Sequence, residues 1–278
     1  GPVPSDRYVR RTGMVAVLAL YAARQRVVLH SSEALCDLYA IPERPVETDH
    51  LERTVRRHLD AASTYDAAKP VAGHTLEAFR AIPARGDVIV DAGCGRARST
   101  QTLARRHPDH LVLGVDRSAH RLGRVMPLDE SEHDDVILPD NALLVRAELG
   151  DFWRLLARRA TRDLAPRRSF RVRHTTLFYP NPSPKREHLK RRWHGHPAFP
   201  WLLTAAGDGI TLRASWRTYL DEFAAALHVA ADHGLPAARR LLDDTPGPLR
   251  PHALSGISPE LALSHFEAKY VAVDLPVY

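Results

Sequence analysis

An α/β fold with a mostly parallel sheet and helices on both faces is the architecture this sequence predicts. Three observations carry it. From Asp87 onward, short apolar runs alternate with helical stretches. The first run ends in a glycine turn, Asp91-Ala92-Gly93-Cys94-Gly95, as the first strand-to-helix connection of an open sheet does. Three successive runs close on an acidic residue: Asp91, Asp116 and Glu148. With 278 residues, 44% of them apolar and 26% charged, the chain can bury the core of one large domain with an appendage, and a disordered chain is excluded.

The elements are expected as follows. Residues 1–47 form an N-terminal helical appendage: an apolar helical segment over 15–28, then the proline-bearing linker Ile41-Pro42-Glu43-Arg44-Pro45. The main domain is 48–278. It opens with Asp49 and, three residues on, Glu52, a capping-box-like start. Leu51, Val55 and Leu59 follow at helical spacing among Arg53, Arg56 and Arg57, which makes a basic amphipathic helix, its charges read first as a solvated face. Residues 87–91 are a strand, the glycine turn leads into a helix, and 111–116 are a second strand. Residues 142–146 continue the series, with a helix over 151–159 and a strand over 174–179. After Ala206-Gly207-Asp208-Gly209, residues 209–214 form the next strand. Tyr219, Leu220, Phe223, Leu227 and Ala230 then lie on one stripe of a helix that Gly234 caps. Residues 270–273 and 275–278 are late strand material, with Pro276 marking an edge.

Composition narrows the function. The formal charge is +6 and the isoelectric point about 9.6, which permits polyanion binding. Cys36 and Cys94 are the two cysteines; neither a disulfide framework nor a zinc spacing surrounds them, so no metal is expected and a reducing cytoplasm fits. The apolar run over 14–23 is shorter than the roughly 20 residues a membrane helix needs, so no membrane partner is expected.

The strand-end acids point to the cofactor. A dinucleotide site would want a third glycine where Arg98 stands. Asp91 at the strand end suits a ligand ammonium better than a phosphate, and Gly93 and Gly95 let backbone approach a ligand closely. S-adenosylmethionine carries such an ammonium. Asp116, followed by Arg117, closes the second strand where ribose hydroxyls need an acid, and Glu148 can accept from an adenine amino group. This ordered set indicates a class I methyltransferase with a Rossmann-like, mostly parallel seven-stranded sheet.

The acceptor half begins at Tyr179-Pro180-Asn181-Pro182-Ser183-Pro184-Lys185 and runs into Arg186-Glu187-His188-Leu189-Lys190-Arg191-Arg192. Proline stiffening beside dense cations suits a base held next to a phosphate backbone, with Trp193 and Phe199 offered as stacking surfaces. From about Glu47 onward the sequence resembles bacterial tRNA (guanine-N7) methyltransferases. The stretch 179–192 looks like the family's F-P-D-P-W-x-K-x-R-H-x-K-R-R, and Ser264-His265-Phe266-Glu267 is similar to its T-x-F-E. The resemblance implies S-adenosylmethionine as cofactor, held by Asp91, Gly93, Gly95, Asp116, Arg117, Glu148 and Asn181. It implies Asn181 as the residue beside the transferred methyl, and Lys185, Arg191, Ser215, Ser264, Phe266 and Glu267 on the substrate. The implied partner is tRNA or another structured RNA, bound by a monomer or homodimer. Two positions depart from the family: Asn181 stands for its aspartate, and Ser215 for the aspartate of T-D-W. Both remove natural acceptors for the guanine N1 and N2 edge. Three alternatives therefore stay open: a family member repurposed for a small purine-like or heteroaromatic metabolite, an amino-group methyltransferase using Asn181-Pro182-Ser183-Pro184, and a non-catalytic RNA-binding protein.

Overall fold

The computed structural model describes residues 45–123, 125, 137–162, 170–244 and 249–250. Within them lie strands β1 (Gly86–Ala92), β2 (Leu111–Asp116), β3 (Ala142–Arg146), β4 (Phe170–Phe178) and β5 (Ile210–Arg213). They form one sheet in the order β3-β2-β1-β4-β5, and every neighbouring pair is parallel. The described residues thus hold five strands of the seven expected. The strands expected over 270–278 and the helix expected over 15–28 lie outside them.

Side-chain alternation explains why both faces are covered. Val88, Val90, Leu113 and Val115 enter the main core, whereas Ile89 and Val112 point the other way and pack with Leu103 and Ala104. Strands that are apolar on both faces are what a parallel sheet needs. The helix carrying Leu103 is α4 (Arg98–Arg106). On the main-core face lie α6 (Leu149–Arg162), which buries Phe152, Trp153 and Leu156, and α8 (Arg217–Asp232), which buries Phe223, Ala226 and Leu227. The expected stripe of α8 holds, and Gly234 ends it: its φ is +96°, and the Leu235 amide donates back to the Ala230 carbonyl at 3.0 Å, a left-handed helix stop that glycine reaches without strain.

Three helices precede the sheet: α1 (Thr48–Asp60), α2 (Ala62–Ala68) and α3 (Gly73–Arg80). α1 buries Leu51, Thr54 and Val55, and its Arg53 and Arg57 are exposed, as the amphipathic spacing predicts. The capping box does not form. Glu47 precedes the helix without a side-chain cap, and Glu52 pairs with Arg56 at 2.9 Å instead. Neither α2 nor α3 was expected, and one buried side chain holds their connection. Arg154 of α6 is 1% exposed and bonds Asp66 at 2.6 Å and Asp151 at 3.1 Å, while Asp151 also accepts the Ala72 amide at 3.0 Å. A buried guanidinium persists only when paired in this way. The remaining described helices are α5 (Ala119–Gly123), α7 (Phe199–Ala205) and α9 (Pro236–Asp243).

Candidate active site

The strand order reverses between β1 and β4, so two loops leave the sheet side by side at its carboxyl edge. Ala92 is in register with Leu177, which sets the turn at 93–97 next to the loop at 179–185. In open α/β sheets this crevice is where ligands bind.

The glycine turn is built from backbone. Val115 O accepts the Gly93 amide at 2.7 Å and the Cys94 amide at 3.1 Å, and the Gly95 amide donates to Asp116 Oδ2 at 3.0 Å. Gly93 and Gly95 have φ of +76° and +59°. A Cβ added to either would meet no atom within 4 Å, so open space lies over the turn and a ligand can approach the backbone there. This cradle fits the methionine part of S-adenosylmethionine.

The three acids close neighbouring strands, but their surroundings differ. Asp91 is 1% exposed. Its Oδ2 accepts Ser99 and Thr100 hydroxyls at 2.6 Å each, and its Oδ1 accepts Thr176 at 3.0 Å. Its described partners are thus protein hydroxyls, and it ties α4 and β4 to β1 beneath the turn. Burial raises its pKa, with the three hydroxyls working the other way. Burial, reinforced by the charges of Asp91 and Asp116, also pushes the Cys94 thiol up, which leaves it a poor nucleophile. Asp116 accepts the Ser118 amide at 2.8 Å in addition to Gly95, with Arg121 at 3.4 Å. Arg117 beside it is exposed. Glu148 is half-buried at the junction of β3 and α6, its amide donating to Thr75 Oγ1 at 3.0 Å.

On the acceptor side, Asn181 is exposed, and its Oδ1 accepts the Ser183 amide at 3.0 Å and the Ser183 hydroxyl at 3.5 Å. This is an Asx turn. Tyr179 and Ser183 flank it with φ of +52° and +46°. Ser215, half-buried, follows β5 on the adjacent strand, whose Arg213 carbonyl accepts the Tyr179 amide at 2.8 Å. Lys185, Arg186, Lys190 and Arg191 are exposed along the 3-10 segment Arg186–Arg191.

Two expectations are corrected here. Arg192 is not on the cationic surface: it is fully buried and paired with Glu222. Phe199 is 1% exposed and packs edge-on against Phe223, so it cannot stack on a base, and Trp193 is half-buried against the core. Ser264, Phe266 and Glu267 lie outside the described residues. Among the described residues no cluster of three or more His, Cys, Asp or Glu could hold a metal, and no helix is long and apolar enough to cross a membrane. A cavity of about 420 Å³ lined by His174, Leu212, Leu220 and Leu227 opens beside β5, and none of the strand-end acids lines it. The residues that the sequence reading missed are Ser99, Thr100, Thr176 and Glu222. For the first two, hydroxyls in the opening turn of the helix after a glycine turn were an available signal.

The comparisons agree with this arrangement. A family model described as a putative methyltransferase matches residues 85–199, from the start of β1 through the cationic segment. Trans-aconitate 2-methyltransferase of Methylobacterium nodulans is 30% identical over 233 residues, 77% of this chain and 86% of the relative. A strand-end glycine turn with an acid closing the next strand, and these two similarities, give one conclusion: the chain belongs to the S-adenosylmethionine-dependent methyltransferases.

Proposed function

We propose that this enzyme methylates N7 of guanine in RNA, tRNA foremost. One observation carries the reading: the Asn181 loop leaves β4 beside the glycine turn of β1, with the exposed cations Lys185, Arg186, Lys190 and Arg191 directly after it. The bound cofactor supplies an electrophilic methyl on a sulfonium. Gly93, Gly95, Asp116 and Glu148 hold it, Arg117 flanks it, and Asp91 fixes the turn from below. Asn181 and Ser215 orient the acceptor ring at the ends of β4 and β5, while Lys185 and Arg191 take the phosphates. Guanine N7 already has an in-plane lone pair, so no side chain need remove a proton, and orientation is the main contribution the protein makes. Ser264, Phe266 and Glu267 complete the acceptor site on the family resemblance. The sheet extends to seven strands by the same resemblance, and the setting is a reducing cytoplasm.

A second reading has a specific observation behind it. Asn181 and Ser215 replace two carboxylates at the acceptor edge, and a cationic methylated base gains less stabilisation from neutral groups. A small heteroaromatic or anionic acceptor fits that edge. The test is incubation with labelled methyl donor and either unmodified tRNA, free purines and nucleosides, or trans-aconitate, the acceptor in the relative's name. Label in tRNA supports the first reading; label confined to small molecules replaces it with the second.

A further inference from the structure

We infer that Glu222 is a positioning residue for methyl transfer, holding the Asn181 loop through Arg192 and Ser183. The inference rests on the reading of Asn181 as acceptor-facing.

Glu222 sits on α8, 6% exposed, in the helix that follows β5 and Ser215. Its Oε1 accepts the Val46 amide at 2.7 Å. Its Oε2 pairs with Arg192 Nη1 and with His194 Nε2, the latter at 2.9 Å. The ring of His194 is wedged between Tyr219 and Phe223, with centroids 4.8 and 6.2 Å away, so the carboxylate has little freedom to move. Arg192 directs the rest of its guanidinium at the Asn181 loop: Nε and Nη2 both reach the Ser183 carbonyl at 3.4 Å. Ser183 in turn donates its amide to Asn181 Oδ1. Hydrogen bonds on either side of the Ser183 backbone therefore link a core helix to the side chain of Asn181.

The loop needs such a hold. Tyr179 and Ser183 both adopt left-handed backbone, which residues other than glycine keep only when their surroundings enforce it. Pro180, Pro182 and Pro184 fix their own φ but leave ψ open. A buried fork on the Ser183 carbonyl supplies the missing constraint, and Glu222 keeps that fork aimed, since a guanidinium buried without its counter-charge leaves for water.

The test is hydrogen exchange followed residue by residue in Glu222→Gln, with the Ser183 amide read against the Val90 amide of β1. Glutamine keeps the bond to Val46 and removes the charge that holds Arg192. Exchange at Ser183 is expected to speed up at least ten-fold while Val90 and the cofactor titration stay within two-fold. Should the unpaired Arg192 unfold that variant, the double variant Arg192→Gln with Glu222→Gln removes both charges together and is expected to give the same local signature. Turnover on an unmodified tRNA transcript should fall at least ten-fold in both variants, with the cofactor KM unchanged. Unchanged Ser183 exchange, or acceleration at Ser183 and Val90 alike in both variants, overturns the proposal. Exchange requires no acceptor, so a wild-type protein inert on tRNA with the expected Ser183 signature contradicts tRNA as the acceptor and leaves the hold of Glu222 on the Asn181 loop supported.

Discussion

The backbone amide of Gly95 donates to Asp116 Oδ2 across 3.0 Å, joining the turn after β1 to the carboxylate that closes β2. Ser118 occupies the other oxygen at 2.8 Å, yet a carboxylate has about four acceptor positions, so Asp116 retains capacity for ligand hydroxyls. Asp116→Ala should lower cofactor affinity at least ten-fold, about 1.4 kcal/mol, within the range of hydrogen bonds to a charged group. Turnover at saturating cofactor should fall far less. Calorimetric titration with the cofactor product checks the first expectation, and initial rates check the second.

Gly95→Val separates backbone strain from occupancy of the cradle. Its φ of +59° costs an L residue about 1–2 kcal/mol, a drop of a few degrees in Tm for a protein of this size. Cofactor binding should disappear altogether, because the new side chain enters the open space above the turn. Gly234→Ala is the control. At a φ of +96°, remote from the site, it should lower Tm and leave cofactor affinity intact.

Asn181→Ala should reduce turnover more than cofactor affinity if, as proposed, Asn181 orients the acceptor, since it also shapes its own turn through Ser183. Steady-state kinetics beside a cofactor titration checks this. Equal losses in both would move Asn181 into the cofactor site alone.

The strands and the glycine turn were legible in the sequence because continuous apolar runs and closely spaced glycines leave local signals. The fate of the cationic tract was not. Within the 3-10 segment Arg186–Arg191 only Leu189 is buried, and the chain then turns extended at Arg192 and carries that residue inward, a change of direction hidden by the density of charge. What makes burial of Arg192 tolerable is Glu222, thirty residues later on another element. The third hydroxyl on Asp91 was hidden for the same reason, since Thr176 comes from β4, 85 residues away. The helices α2 and α3 are short and depend on Arg154, whose partner Asp66 lies 88 residues before it.

Stability should fall as pH drops below neutrality. His58, His174, His194 and His196 all titrate below the ordinary 6.5, chiefly through burial, His196 at about 4. Below 6.5 the unfolded chain binds more protons than the folded one, so stability increases with pH across this window and is lost as pH falls toward 4. Glu222, whose carboxyl is held below 4.5 by His194 and Arg192 against the opposing effect of burial, extends the loss to lower pH. Asp66 and Asp87, lowered by their arginine partners against the opposing effect of burial, act in the same direction as Glu222, whereas Asp91, raised by burial, acts in the opposite one. Urea midpoints between pH 7.5 and 4.5 should decline, and His196→Gln should flatten the slope. A midpoint constant over that range would contradict the assignment.

RNA affinity should weaken steeply with salt. Each phosphate contact contributes about 0.9 to the logarithmic slope on a duplex and about 0.7 on a single strand. Replacing exposed Lys185 and Arg191 together by alanine should therefore reduce the slope by roughly 1.4–1.8. Filter binding of a tRNA transcript at several salt concentrations measures it.

The most direct measurement is mass spectrometry of nucleosides from an unmodified tRNA transcript incubated with the protein and S-adenosylmethionine. The account predicts 7-methylguanosine, formed by the wild type and lost with Asp116→Ala at low cofactor. A transcript free of 7-methylguanosine, while the same preparation methylates a small molecule, would contradict it.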